Sequence, residues 1–287
     1  MPELPEVETI KRDLEKVVLK KKIKEVKVEK KKIVRGDAAE FVKELKGGMF
    51  VKISRVGKLL IFHLSSGLFL LVHLKMTGQL IFKKKEKITA GGHNISNKDL
   101  ENLPNKYSRI IFTFADKSRL FFNDIRQFGY MKLASEKEKT AIEKKYGLDP
   151  LSSSFTKESF LELLENKKGK IKTFLLNQNL IAGIGNIYAD EICFEAKVRP
   201  DRKIDNLTKK EKEKIFLLCK LILKKAVKYK GTTFRDFRNA HGKPGGFSKF
   251  LKVYQKEKSL CPSCHRAKIE KMKVGGRGTR FCPYCQK

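Results

Sequence analysis

A chain of 287 residues with 40% hydrophobic content is too long for one small core and can bury two. Its 65 Lys and Arg against 32 Asp and Glu leave a formal net charge of +33, which points to a polyanion such as DNA, RNA or an acidic membrane surface, or else to a proteome rich in surface lysine. No apolar run approaches the roughly 20 residues of a membrane span, and the N-terminus has no apolar signal core, so a cytosolic protein is expected.

The chain opens Met-Pro-Glu-Leu-Pro-Glu-Val-Glu. A small residue at position two permits removal of the initiator Met, which would leave the ring nitrogen of Pro2 as a free secondary amine. An α-amino group has a reference pKa of about 7.7–8.0 against about 10.4 for Lys, so about a tenth of it is unprotonated at pH 7. Such an amine is a nucleophile without needing burial to activate it. Glu3 and Glu6 lie beside it and Glu8 is close by, and an acid next to an amine suits chemistry in which one group attacks carbon and the other moves protons. The same residues also suit an ordinary helix start, with Pro in the first turn and acids at the positive end of the dipole.

Val7, Ile10, Leu14 and Val17 recur at helical spacing, which predicts an amphipathic helix over 3–20 with a Lys-rich outer face. A strand follows over 23–34, then a helix over 37–45 capped by Asp37. Strands are expected at 49–56, 59–64, 69–74, 108–114, 119–123 and 128–133, with hairpin turns at Ser65-Ser66-Gly67 and Ala115-Asp116-Lys117. Strands in series with few helices predict an antiparallel sandwich rather than a parallel sheet. The polar, Gly- and Asn-rich stretch 83–106 reads as a mobile surface loop.

Composition changes near residue 134. The charged stretch 134–154, with Gly147-Leu148-Asp149-Pro150, reads as a connection between domains. Helices are expected at 157–165, 170–177, 187–195 and 209–230. The joint at 178–186 is long for a helix-turn-helix and carries Gly183 and Gly185 just before a helix that Asn186 is placed to cap. Free amides there can hold a phosphate, or the glycines merely punctuate a helix hairpin. Residues 231–250 are rich in hydroxyls, glycines and amides, and either fold over a ligand or form a long linker.

Of six cysteines, four close the chain as C-x2-C-x17-C-x2-C: Cys261, Cys264, Cys282 and Cys285. This spacing matches one structural, tetrahedral Zn2+ site, and a reducing compartment favours metal over disulfide. Lys268, Lys271, Lys273, Arg277 and Arg280 lie between the pairs, and the Arg side chains are expected to face the partner. Cys193 and Cys219 sit in apolar helical patterns and read as core thiols.

Several separated motifs resemble the formamidopyrimidine-DNA glycosylases: PELPEVET, Val56-Gly57-Lys58, His73-Leu74-Lys75-Met76-Thr77-Gly78, Asp124-Ile125-Arg126-Gln127-Phe128-Gly129, the run from Ala182 to Glu191, Gly231-Thr232-Thr233, and the cysteine tail. The resemblance covers nearly the whole chain. It implies an α+β fold of two domains: an N-terminal antiparallel β-sandwich flanked by helices, and a C-terminal helix–two-turns–helix domain with a β-hairpin zinc finger. The expected boundaries are a catalytic domain over 1–134, a linker over 135–154, a helical DNA-binding domain with a lesion-capping loop over 155–250, and a zinc finger over 251–287.

The resemblance also implies roles. Pro2 would attack C1′ of the damaged nucleotide, Glu3 would protonate the sugar, Glu6 would fix the N-terminal constellation, and Lys58 would contact phosphate and assist the eliminations. His73, Asn186 and Arg277 would clamp phosphates. Met76, Arg126 and Phe128 would fill the gap left by an everted base. The segment 231–247 would close over an oxidised purine. The implied activity is a base-excision repair glycosylase and abasic-site lyase, acting as a monomer on damaged double-stranded DNA in the bacterial nucleoid.

The sequence departs from the family pattern at Gly246, where an aromatic residue is frequent, at His241, where Asp is common, at the variable position Thr77, and at Gln127, where a basic residue is frequent. Leu4 and the Met/Arg/Phe set favour the oxidised-purine branch over endonuclease VIII-like enzymes for oxidised pyrimidines. A non-catalytic zinc-ribbon DNA binder would account for the charge and the cysteines, and leaves the acidic N-terminus unexplained.

Overall fold

The computed structural model describes residues 1–85, 87–92, 100, 102–232 and 246–287. The chain forms two compact units, Met1–Lys144 with Tyr229–Ser248, and Lys145–Lys228 with Lys249–Lys287. No helix among the described residues is long and apolar enough to cross a membrane.

The first unit opens with α1, Leu4–Val18, whose first turn holds Pro5. Its buried stripe is Val7, Ile10, Leu14 and Val18; Val17, expected in the stripe, is only partly buried. Two antiparallel sheets follow. One has the order β1-β7-β8-β5-β6, with β1 Ile23–Val28, β5 Gly78–Lys84, β6 Lys87–Gly92, β7 Ser108–Phe114 and β8 Arg119–Asp124. The other has the order β2-β3-β4-β9, with β2 Phe50–Val56, β3 Leu59–Leu64, β4 Phe69–His73 and β9 Tyr130–Ala134. Alternate residues Leu60, Phe62 and Leu64 of β3 enter a core with Leu80, Phe82, Phe112, Phe114 and Phe122 from the other sheet. Phe50 lies 5.0 Å from Phe62 and 5.9 Å from Phe112, tying the sheets together. Each such ring contributes about 1.5–3 kcal/mol by leaving water.

Two elements were not expected. Part of the stretch read as a surface loop is strand β6, paired with β5 from Gln79↔Gly92 to Lys84↔Lys87. Its glycines reflect crowding rather than a loop: a Cβ on Gly91 would lie 2.5 Å from Ile10 Cγ1 of α1, and one on Gly92 would lie 2.4 Å from the Gly78 carbonyl. The expected linker also contains a helix, Glu136–Glu143, started by a Ser135–Glu138 capping box and touching β4 and β9. The strand expected over 23–34 stops at Val28 and ends in a 3-10 turn, Lys31–Ile33. Asp37 caps the helix α2, Ala38–Leu45, by accepting from the Glu40 amide at 2.7 Å.

Numbering the Glu136–Glu143 helix α3, the second unit adds α4 Lys157–Leu164, α5 Ile171–Leu176, α6 Asn186–Ala196 and α7 Lys209–Lys228. The hairpin β10 Glu270–Val274 and β11 Arg277–Phe281 follows. Gly147 packs on the α5–α6 joint, where a Cβ would lie 2.1 Å from the Leu180 carbonyl, so residues 145–150 belong to this unit's structure. The Gln178 side chain ties that joint internally, donating to the Leu176 and Ile184 carbonyls at 2.8 and 2.9 Å and accepting from the Gly183 amide at 2.9 Å. Cys193 and Cys219 are fully buried, and burial pushes both thiols well above their usual range.

Candidate active site and nucleic-acid interface

In the first unit, Pro2 and Glu3 are buried at the start of α1, behind an exposed Met1. Glu6 Oε2 accepts from the Glu3 amide at 2.9 Å. Glu6 Oε1 accepts from the Thr232 amide at 2.8 Å and its hydroxyl at 3.1 Å. One carboxylate thus holds the first residues of the chain to a segment 226 residues away. A Cβ on Gly231, whose φ is +80°, would lie 2.6 Å from Glu6 Oε1, so the approach needs glycine. The segment 229–232 and 246–248 therefore packs with the first unit rather than with the helices it follows. Residues 233–245 of the expected lesion-capping loop, including His241, lie outside the described residues. Gly246 pairs with Thr232 in an antiparallel bridge.

Lys58 occupies a tight turn. Val56 pairs with Leu59, leaving Gly57, at φ +54°, and Lys58 as a two-residue hairpin connection. Lys58 is only 6% exposed, unlike an ordinary turn lysine. Glu8 Oε2 accepts from Arg55 Nε at 2.8 Å, and Arg55 Nη1 donates to the Gly57 carbonyl at 3.2 Å, linking α1 to this turn. Burial alone would raise the Glu8 carboxyl, but Arg55, Arg12 and Lys11 together hold it below its usual value.

His73 ends β4 opposite Leu59, one residue from Lys58. Burial first, then Lys75, Lys58 and Arg35, hold His73 down to about 3. The ring is therefore neutral at pH 7. Its Nδ1 accepts from the Lys75 amide at 3.0 Å, which assigns the proton to Nε2 as a donor. The ring packs 5.7 Å from Tyr130, whose other neighbour is the Arg35 guanidinium, 3.4 Å from the ring centroid. Three cations and a neutral N–H donor on one patch suit phosphate.

Met76 and Phe128 are 42% and 53% exposed, so neither is a packing residue. The Arg126 guanidinium lies 4.6 Å from the Phe128 ring centroid, and its Nη1 is 3.2 Å from Met76 Sδ. The structure thus brings Met76, Arg126 and Phe128 together as an exposed apolar and cationic tip.

In the second unit, Asn186 does not cap α6. Gly185 is the N-cap and Asn186 the first helical residue, because the side-chain amide turns to donate to the Gly278 carbonyl at 3.0 Å. Asn186 Oδ1 is buried without a hydrogen-bond partner among the described residues. Arg277 is exposed beside Gly278 at the start of β11, after the two-residue turn Gly275-Gly276. Arg280, expected to face the partner, instead pairs with Glu257 at 2.7 Å and lies over the Tyr254 ring at 4.6 Å. The odd spacing of Arg277 and Arg280 along one strand is the signal that sets them on opposite faces.

The hairpin is fixed by Lys172 and by the two acids that end the run from Ala182 to Glu191. Lys172 and Asp190 are fully buried with Nζ and Oδ1 2.6 Å apart, and Lys172 Nζ donates to Thr279 at 2.7 Å. Burial pushes Asp190 up to about 7 against the pull of Lys172. Glu191 accepts from the amides of Lys252, Val253 and Tyr254 at 2.8, 3.0 and 2.9 Å. The four tail cysteines bring their sulfurs within 4.8 Å of one another, with Cys261–Cys285 at 3.8 Å and Cys264–Cys282 at 3.6 Å. These are the spacings of four ligands around one ion; disulfides would need about 2.05 Å.

A sandwich carrying a buried acid beside Pro2, with a basic patch and an exposed apolar and cationic tip, matches a class of DNA-processing protein. The sequence fits the family model of the formamidopyrimidine-DNA glycosylase N-terminal domain over residues 1–131, and the H2TH domain of the same enzymes over 146–238. It is 40% identical to the formamidopyrimidine-DNA glycosylase of Mycoplasma genitalium, covering 100% of this chain and 96% of that one. It is 41% identical to the Listeria monocytogenes enzyme, with 100% of both covered. The fold superposes on the Lactococcus lactis enzyme in complex with DNA containing an abasic site, with a TM-score of 0.86, 33% identity and 99% of each chain covered. A second Lactococcus lactis complex, a point mutant of the enzyme with DNA containing Fapy-dG, gives a TM-score of 0.88 at 34% identity, with 100% of each chain covered. The chain belongs to the formamidopyrimidine-DNA glycosylase family, DNA glycosylases of DNA repair whose activities include abasic-site lyase.

Proposed function

We propose that this protein removes oxidised purines, 8-oxoguanine and formamidopyrimidines, from duplex DNA through a covalent intermediate on Pro2, and then cuts the strand by β,δ-elimination. The observation that carries this reading is the N-terminal constellation. Glu3 is buried beside Pro2, and Glu6 fixes the Glu3 backbone, the residue that follows the nucleophile in the chain.

With Met1 removed, the Pro2 lone pair attacks C1′ while the C1′–N bond breaks. The electron pair of that bond and the proton shed by the Pro2 nitrogen go to the departing base. Glu3 gives a proton to the ring oxygen and the sugar opens, leaving an iminium on Pro2. That cation acidifies C2′; loss of a C2′ proton expels the 3′ phosphate, and a second elimination expels the 5′ phosphate. Lys58 and neutral His73 in the first unit, and Asn186 and Arg277 in the second, would hold phosphates. The everted base leaves a gap that Met76, Arg126 and Phe128 would fill.

Zn2+ would hold the tail together. A tetrahedral ion with Zn–S of about 2.3 Å sets sulfurs about 3.8 Å apart, close to the spacings of Cys261, Cys264, Cys282 and Cys285. The ion would be structural, since four thiolates leave no open position.

A second reading, oxidised pyrimidines, has support from a related protein: the wild-type Lactococcus lactis enzyme was solved with DNA containing an oxidised pyrimidine. Borohydride trapping decides between them. The processed protein should form a covalent adduct faster with an 8-oxoguanine duplex than with an oxidised-pyrimidine duplex. The reverse order would support the pyrimidine reading, and no adduct with either would leave a binding protein.

A further inference from the structure

Met76 and Phe128 sit on loops from different strand connections, 74–77 after β4 and 125–129 after β8. Apolar side chains do not hold themselves out in water at a fixed place; the backbone beneath them must. Here both backbones converge on one carboxylate. Asp124, the last residue of β8, is fully buried. Its Oδ1 accepts the hydroxyl of Thr77, and its Oδ2 accepts the Gly129 amide at 2.7 Å. The same Thr77 hydroxyl accepts the Arg126 amide at 2.9 Å. One hydroxyl therefore links the Met76 loop to the Arg126–Phe128 loop in both directions.

The surroundings leave the clasp little slack. A Cβ on Gly129 would lie 2.8 Å from Phe122 Cζ and 3.0 Å from both Asp124 Oδ2 and the His73 carbonyl. Buried Arg109 donates through Nε to the Asp124 carbonyl at 2.9 Å and through Nη1 to the Lys106 carbonyl at 3.0 Å. Lys75 and Gln127, one in each loop, have φ of +48° and +57°. Such left-handed backbone persists only where the surroundings over-determine it.

We propose that Asp124 and Thr77 form a clasp that makes the two loops one rigid tip, so that both are positioning residues for opening the base stack. This rests on the reading of Met76, Arg126 and Phe128 as the wedge. Unstacking a step costs a few kcal/mol, and a compliant tip would bend aside rather than hold the gap. A hydroxyl bonded to a carboxylate is among the stronger neutral-to-charged contacts, which suits the load. Thr77 is thus not a neutral position: a hydroxyl is required there, and Ser or Thr would supply it.

The test uses full-length, N-terminally processed protein and single-turnover base release from an 8-oxoguanine duplex. Thr77→Val should slow release by about tenfold to a hundredfold, the scale of a misplaced catalytic assembly. Thr77→Ser should restore the wild-type rate, and Asp124→Asn should behave like Thr77→Val. A 2-aminopurine beside the lesion should brighten on binding wild type and less with Thr77→Val. Cleavage of a single-stranded oligonucleotide carrying an abasic site, which has no stack to open, should be unchanged by Thr77→Val. Wild-type duplex release by Thr77→Val alongside slow Met76→Ala and Phe128→Ala would overturn the clasp and leave the wedge. Wild-type release by Met76→Ala and Phe128→Ala would overturn the wedge reading itself. Equal losses on duplex and single strand would show general damage and overturn the positioning role.

Discussion

The two units hold together by different means. The first has a continuous apolar core in which Phe50, Phe62, Phe112 and Phe114 are fully buried. Most of its buried ionisable groups lie near element ends and turns: Glu3, Glu6 and Glu8 around the start of α1, Lys58 in a hairpin turn, His73 closing β4, Arg109 near the start of β7 and Asp124 closing β8. None is needed to fill the core. The second unit buries its charges inside, as the Lys172–Asp190 pair and the triply bonded Glu191. Its cysteine-rich cluster adds only Phe194, Val253 and Ile269 as fully buried apolar residues among those described. The helices of the second unit have an apolar core of their own, with Phe155, Phe160, Ile171, Ile192 and Leu223 fully buried, but its terminal hairpin buries little apolar surface, and there buried charges and a four-cysteine cluster keep the shape.

If chemistry lives in the first unit alone, masking or replacing its proline amine should abolish it. Retention of Met1, or Pro2→Gly, should eliminate base release and borohydride adducts while DNA affinity persists. Intact mass and trapping check this together; an adduct formed by protein still carrying Met1 would break the assignment.

Removing the metal should separate the units next. Chelation or Cys264→Ser should disorder the hairpin and weaken DNA binding, because a small metal domain draws about 10–16 kcal/mol from its ion. The first unit should keep its β-sheet circular dichroism and its melting transition. Protein purified without chelator should contain one zinc per chain, and a metal-free preparation with ordered hairpin resonances would contradict the comparison.

Arg126 tests whether an exposed group of the first unit reads sequence. Its guanidinium offers only donors. Orphaned cytosine presents O2 and N3 as acceptors, whereas adenine presents an amino donor, a mismatch of about 1–3 kcal/mol. Excision should be faster opposite cytosine. Arg126→Ala should lose most of that preference, while Met76→Ala slows both. An unchanged ratio in single-turnover rates would remove Arg126 from this role.

The smallest effect compares one phosphate contact from each unit. His73 is neutral, so His73→Ala should weaken binding without changing its salt dependence. Arg277→Ala should reduce the slope of log K against log salt by about 0.9. The same histidine sets a pH effect. Its folded pKa, about 3, lies below the ordinary value of 6.5, so the unfolded chain binds the extra proton in that window. The stability it contributes is present above pH 6.5 and is lost as pH falls towards 3, by about 1.4 kcal/mol per pH unit. Denaturant unfolding of wild type and His73→Asn between pH 4 and 7 measures the difference; parallel curves would show that His73 is charged in the fold.

Much of this was legible in the chain. The spacing of Val7, Ile10 and Leu14 is that of α1, and strands 59–64 and 108–114 fall where their apolar runs lie. The paired cysteines do converge. These are local properties, carried by period and by ligand spacing within a few residues. The misses came where composition and crowding diverge. Gly91 and Gly92 look like a loop in sequence and are strand residues, because α1 and β5 leave no room for a Cβ. Asn186 has the composition of a cap, yet its amide serves a carbonyl 92 residues away.

The sequence by itself determined most of the strands and helices, the proline and carboxylates gathered at the N-terminus, and the four-thiol cluster, since each is written in adjacent or regularly spaced residues. Only the tertiary structure decided that Lys58 is buried, that His73 is neutral, that Arg280 is already paired, and that Asp124 joins two loops. The reason is electrostatic and steric. Charge state and position depend on which groups meet, and Thr77 meets Asp124 across 47 residues, while Glu6 meets Thr232 across 226. No pattern within a window of sequence encodes such a meeting; the packing of the sheets and α1 does.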